Sequence, residues 1–207
     1  MAWVAEDNFD SYSDGDLNGN NGGSGWSAAW AGDVDYDVEG TTVYQGAKAV
    51  SGINANGSII RTLTSTTTSG TVYFAMRMDD TSGDGGILFR NGADTTTYIL
   101  IKFNTTDIVV SNGFETTTTY ISGFTTGAWY LFEIAYNGAS YDIRYHNGTS
   151  WSSPNTYSVD TNSAIDTIRL NAGNNNDFYF DYISPTNPIP ETGGDTKARY
   201  LNLMGVG

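Results

Sequence analysis

The sequence predicts an all-β protein built as a two-sheet antiparallel sandwich, and three observations carry that expectation. First, short runs of alternating apolar and polar residues recur along the chain with turn signals between them, and no window shows a helical period. Second, 25 of the 207 residues are glycine and 14% are aromatic, with many threonines and few prolines, which suits strands joined by tight turns. Third, residues 127–148 hold two alternating runs, Trp129 to Tyr136 and Tyr141 to Tyr145, on either side of Asn137-Gly138. Asn-Gly between such runs is the strongest short-range signal for a β-hairpin. Along the first run Tyr130, Phe132, Ile134 and Tyr136 share one face, and Trp129, Leu131, Glu133 and Ala135 share the other. The first set is expected to form the floor between the sheets.

Residues 2–9 read as a first strand, followed by a turn-rich loop over 14–25 that ends at Trp26. Further strands are expected at 33–39, 42–50, 57–63, 71–79, 86–90, 96–103, 107–111 and 116–121, then the hairpin, then 164–170 and 177–183. In 71–79 the core set is Val72, Phe74, Met76 and Met78; in 96–103, Ile99, Ile101 and Phe103 oppose Tyr98, Leu100 and Lys102. Such faces are buried only if two sheets stack, because a single sheet leaves each strand half exposed. After Ile183 the run Ser-Pro-Thr-Asn-Pro-Ile-Pro-Glu-Thr-Gly-Gly neither pairs as a strand nor continues a helix. The expected organisation is therefore a domain over 1–184, a Pro/Gly linker over 185–195 and an extended apolar arm over 196–207. In that arm Arg199, Tyr200, Leu201, Leu203 and Met204 are candidates for docking to an assembly, since an apolar segment outside a core needs a surface to cover it.

A formal charge of -14 with nine Lys and Arg argues against nucleic acid or anionic membrane as a partner, because phosphate contact needs clustered cations. Without cysteine there are no disulfides and no thiolate metal sites. The start lacks the basic and apolar regions of a signal peptide, and no apolar run approaches the ~20 residues of a membrane helix. The chain is accordingly expected to be made in the cytoplasm and to reside in a virion or cell-surface assembly.

Glu6-Asp-Asn-Phe-Asp10, the Gly-rich loop from Asp14 to Trp26, the strand and turn from Gly127 to Gly138, and the closing run Asp177-Phe-Tyr-Phe-Asp-Tyr-Ile183 follow one another in an order that resembles the concanavalin A-like lectin/glucanase superfamily, including laminin-G-like modules. The resemblance covers residues 3–184. It implies a jelly-roll sandwich and leaves function open, because that fold hosts lectins, hydrolases, lyases and structural modules.

Asp33-Val-Asp-Tyr-Asp-Val-Glu39 puts four acids on one face if it is a strand. Laminarinase-type glucanases of the family carry Glu-x-Asp-x-Glu, the outer carboxylates acting as nucleophile and general acid; here Asp35, Asp37 and Glu39 occupy that frame, with Asp in place of the first Glu. A retaining pair needs carboxyls ~5 Å apart, whereas residues i and i+4 of a strand stand ~13 Å apart at Cα. Arg61-Thr-Leu-Thr is the nearest match to the Arg-rich motif of lyases of this fold and lacks its acid. His146, the single histidine, is expected to be exposed beside the turn at Asn147-Gly148. Asp14-x-Asp16-x-Asn18-Gly19 matches the start of an EF-hand-like loop but has Gly25 at the twelfth position, so structural calcium there needs a distant carboxylate such as Asp181.

For glycan binding, Tyr73, Arg77, Trp129, Glu133 and Arg144 form a mixed aromatic and polar set expected on one sheet face, and Trp26, Trp30, Trp151 and Tyr98 are further stacking candidates. The expected function is that of a non-enzymatic structural or glycan-binding module on a larger assembly, such as a phage virion decoration or fibre protein. Its partners would be a surface glycan, a capsid or tail protein met through the arm, and other copies of itself. The alternatives are an endo-glucanase using the acids of 33–39 and a free lectin.

Overall fold

The structure, a computed structural model, describes residues 2–53, 55, 57–81, 84–92, 97–112, 116–159, 164–173 and 177–189. The arm candidates Arg199, Tyr200, Leu201, Leu203 and Met204 lie outside the described residues, as does the side chain of Tyr98. The described residues form fifteen strands: β1 (Gly15–Asp16), β2 (Ala31–Gly32), β3 (Asp37–Glu39), β4 (Ala49–Ser51), β5 (Gly57–Thr67), β6 (Gly70–Met78), β7 (Asp84–Arg90), β8 (Thr97–Asn104), β9 (Asp107–Ser111), β10 (Thr117–Ile121), β11 (Trp129–Tyr136), β12 (Ser140–His146), β13 (Asn155–Ser158), β14 (Ile165–Ala172) and β15 (Phe178–Ser184). They form two antiparallel sheets, one of eight strands in the order β1-β3-β4-β15-β6-β11-β12-β13 and one of seven in the order β10-β9-β8-β7-β14-β5-β2. This is the expected all-β sandwich.

The hairpin of β11 and β12 is central. Tyr130, Phe132, Ile134 and Tyr136 all face the core, and Phe132 pairs with Phe74 on β6. Phe74 stacks on Phe132 and Phe180 at 5.5 and 6.1 Å between ring centroids, and meets Phe89 of the opposing sheet at 5.8 Å. Val72, Met76, Met78, Ile99, Ile101 and Phe103 are buried as their alternation requires. On β15 an extra residue, Tyr182 with φ of 54°, lies between Asp181 and Ile183. Asp181 pairs with Ala75, and the bulge returns Ile183 to the core opposite Phe74.

The expected strand over 2–9 is instead an irregular segment held by two isolated bridges, Glu6 to Ser24 and Asp7 to Ile183. Buried polar contacts replace a ladder here. Arg61, 1% exposed, forms an ion pair with Asp7 and donates to Asn21 Oδ1 at 3.1 Å and to the carbonyls of Gly22 at 2.7 Å and Ala28 at 3.2 Å. Its guanidinium lies over Trp26 at 4.8 Å and Trp30 at 5.5 Å from the ring centroids. Asp7 also accepts from Tyr12 Oη at 2.7 Å, Phe9 N at 3.0 Å and Trp30 Nε1 at 3.2 Å. Arg61, Trp26 and Trp30 therefore serve to fasten the Gly-rich loop to the sandwich.

The expected strand over 42–50 begins only at Ala49, because carboxylates rather than a neighbouring strand hold the backbone before it. Asp181 accepts the N–H groups of Tyr44 and Gln45, each at 2.9 Å, and Asp10 accepts those of Ala47 and Lys48. β2 and β13, both short edge strands, had no periodic signal long enough to mark them.

Candidate functional site

The five residues expected to form a glycan groove do share one face, the outer face of the eight-stranded sheet. Register sets Trp129 beside Arg77, and Glu133 between Tyr73 and Arg144. Much of their polar capacity is met within the chain. Arg144 donates to Glu133 through Nε at 2.9 Å and Nη2 at 2.7 Å, and Arg77 makes the same forked contact with Asp79 at 2.5 and 2.7 Å. The chain also lies across part of this face. Tyr44 packs on Trp129 at 5.8 Å between centroids, and Ile189 joins Tyr44, Ala75 and Leu131 in a small buried cluster. Packing thus continues beyond Ser184 into the first residues of the linker. Trp151 covers Arg144 at 4.7 Å and meets Tyr73 edge-on.

His146 is not turn-exposed. It is 4% exposed, pairs with Leu131, meets the Trp151 ring at 5.3 Å and accepts from Gly148 N at 3.1 Å. The strand runs one residue further than its alternation suggests and carries the imidazole under Trp151, and burial lowers its pKa.

The acidic run is a strand only over Asp37–Glu39. Asp33 Oδ1 accepts the N–H of Asp35 at 3.1 Å, a local turn that leaves Val34 58% exposed and takes Asp33 and Asp35 out of any shared row with Asp37 and Glu39. Glu39 turns back on the next residues, accepting from Thr42 N at 2.8 Å, Thr41 N at 2.6 Å and the Thr41 hydroxyl. Of the Asp35, Asp37, Glu39 frame, Asp37 and Glu39 therefore stand on β3 and Asp35 in the turn before it.

The four calcium candidates do not form one cage. Asp14 pairs with Lys48, Asp16 accepts from Asn18 N at 2.7 Å, and Asn18 accepts from Gly32 N at 3.2 Å. Among the described residues no group of three or more His, Cys, Asp or Glu is placed to hold a metal. Asp181 stands apart, 0% exposed, with Oδ1 lacking a hydrogen-bond partner. Burial raises its pKa well above the ordinary 3.8, against the lowering effect of the amides of Gln45, Tyr44 and Tyr182. A raised folded-state pKa means that its contribution to stability is complete below about 3.8 and is lost as pH rises from there through the folded value. Melting temperature followed against pH is expected to fall over that window in the wild type relative to Asp181→Asn. Parallel curves for the two proteins would show that the carboxyl does not titrate with folding.

A depression of about 230 Å³ opens on the outer face of the seven-stranded sheet, across β8, β7 and β14. Gly86 is its bare floor, flanked by its register partners Lys102 on β8 and Asn171 on β14. A side chain at Gly86 would collide with the carbonyl oxygen of Ile101, so the close approach of β8 demands glycine there. Two residues along, Leu88 lies between Leu100 and Arg169 and supplies an apolar stripe. Lys102 Nζ donates to Asp84 Oδ2 at 2.8 Å, and Arg169 Nη2 to Asn171 Oδ1 at 3.3 Å. The trough thus combines an apolar strip with amide, ammonium and guanidinium donors. None of these residues stood out in the sequence, although adjacent glycines opening an otherwise apolar strand were the available signal.

No family model matches the chain, and neither does any of the curated proteins. Solved structures do. A Bacillus licheniformis β-glucanase superposes with a TM-score of 0.53 at 12% identity, covering 88% of this chain and 98% of that one. A sialidase superposes with a TM-score of 0.55 at 10% identity, covering 75% of this chain, which spans only 16% of the sialidase's length. A protein described as HCR/D-Sa-GBL1/C gives 0.54 at 12% identity over 83% of this chain and 47% of that one. At these identities the likeness is one of fold: the chain shares a jelly-roll β-sandwich with these structures.

Proposed function

We propose that this chain is a non-enzymatic glycan-binding module whose site is the Gly86 trough. The trough itself carries this reading: its apolar strip of Leu88 and Leu100 suits the C–H face of a sugar ring, and Asn171, Lys102 and Arg169 are placed to meet hydroxyls and other oxygens. The β-glucanase and the sialidase, named for chemistry on glycans, support a saccharide as ligand by analogy of fold. Against hydrolysis stands the acid count at the site. Glycosidases generally work with two carboxyls, and among the described residues lining the trough Asp84 alone has one, engaged by Lys102.

The test is affinity electrophoresis and calorimetry against a panel of neutral, carboxylated and sulfated polysaccharides, with Asn171→Trp as a variant whose indole would fill the trough. Binding to some member of the panel, lost in Asn171→Trp at unchanged melting temperature, is expected. Absence of binding across the panel would falsify the module reading, and release of reducing ends from a β-glucan, lost in Glu39→Gln, would replace it with the endo-glucanase.

The finer role, a phage virion decoration or fibre protein held by Arg199, Tyr200, Leu201, Leu203 and Met204, rests on the apolar composition of 196–207. Removing those residues should leave the domain folded and abolish its incorporation into particles; normal incorporation would end that proposal.

A further inference from the structure

We infer that the Gly86 trough selects a carboxylated sugar, of the uronate class, with Arg169 as the residue that reads the carboxylate; the inference rests on the glycan-binding reading above. Charge placement comes first. The chain has 23 Asp and Glu against nine Lys and Arg, so its overall field repels anions and a polyanionic ligand is accepted only where cations are locally concentrated. The outer face of β7, β8 and β14 is such a place. Lys102 and Arg169 line the trough, and Arg90 follows Leu88 at the next outward position of β7, paired with Thr167.

The state of Arg169 is the second observation. Its Nη2 contact is with a neutral amide, Asn171, at 3.3 Å, and its Nε is buried without a hydrogen-bond partner. This differs from Arg61, Arg77 and Arg144, each of which is paired with a carboxylate. Burial, and then the charge of Arg90, act to lower the pKa of Arg169, so its cation is held in a setting that an incoming anion would relieve. Lys102, by contrast, is already matched by Asp84, which orients it across the floor and leaves Arg169 as the cation in need of a counter-charge. A planar guanidinium fork fits a planar carboxylate through two parallel hydrogen bonds, whereas a neutral sugar would leave that charge uncompensated. The ring of the same sugar would lie over Leu88 and Leu100, which continue the register row of Arg169.

The same panel decides the matter when it includes oligogalacturonate and alginate oligomers beside neutral glucans, with dextran sulfate as a charge control. Binding to a carboxylated member is expected, weakening with salt, and falling about ten- to a hundredfold in Arg169→Ala and less in Arg169→Lys. Melting temperatures of both variants would confirm that the fold is kept. Binding confined to neutral glycans, with Asn171→Trp still abolishing it, would overturn the carboxylate inference and leave the module reading standing. Equal binding of dextran sulfate would reduce the effect to charge alone and overturn it too. Acidic glycan binding untouched by Arg169→Ala would place the ligand elsewhere and overturn both, as would no binding at all.

Discussion

Arg61→Met is expected to lower the free energy of unfolding by about 3–5 kcal/mol, the usual cost of removing one partner from a buried ion pair. The reason lies in what would remain. Asp7, buried beside it, would keep neutral donors in Tyr12, Trp30 and the Phe9 amide but lose its counter-charge, and the carbonyls of Gly22 and Ala28 would lose theirs. Methionine fills much of the space between the Trp26 and Trp30 rings, so the loss measured is mainly polar. Asp7→Asn alone should also destabilise, because the guanidinium would then be the uncompensated charge. The double variant should be more stable than the sum of the two losses predicts, since neither charge is left without its partner. Urea titrations of the four proteins give the coupling. A loss under about 1 kcal/mol for Arg61→Met would show that the pair has the small effect typical of exposed salt bridges.

Phe74→Ala should cost a comparable amount, about 3–5 kcal/mol, and by a different mechanism. Phe74 touches aromatic rings in both sheets, Phe132 and Phe180 in its own and Phe89 across the interface, so its removal opens a void at the joint of the sandwich. Its neighbours stand on β11, β15 and β7, whose backbones are fixed by ladders on both sides, and the void cannot collapse. Phe74→Leu retains most of the volume and should lose less than half as much. Equilibrium denaturation checks both, and an alanine variant within about 1 kcal/mol of wild type would mean that the core is far more compliant than close packing allows.

The sandwich was legible wherever one face of a strand meets the core, because alternation with a period of two records that burial directly. The sets on β6, β8 and β11 illustrate this, and the register of β11 put all five of the expected groove residues on one face. Alternation does not say what else lies on that face. Tyr44 and Ile189, distant in sequence, cover Leu131 and Ala75, and no local pattern announces such a covering. The acidic run shows the opposite difficulty. Asp33 to Glu39 alternates perfectly, yet the Asp33 side chain competes for the backbone N–H of Asp35 and bends the chain before the strand begins. The trough was illegible for a third reason: it sets β14 beside β7 and β8, from which β14 is far removed in sequence, and its floor is the absence of a side chain.

The order of the strands has a bearing on how the chain reaches this state. The last two strands among the described residues are central: β15 is inserted between β4 and β6, and β14 between β7 and β5. During synthesis β4, β5, β6 and β7 therefore each keep an unpaired edge until residues 165–184 have left the ribosome. Closure then comes as a late, long-range event, which makes folding slow for a protein of this size. It also brings Asp7, near the beginning of the described residues, against Ile183 near their end, the two exchanging backbone hydrogen bonds.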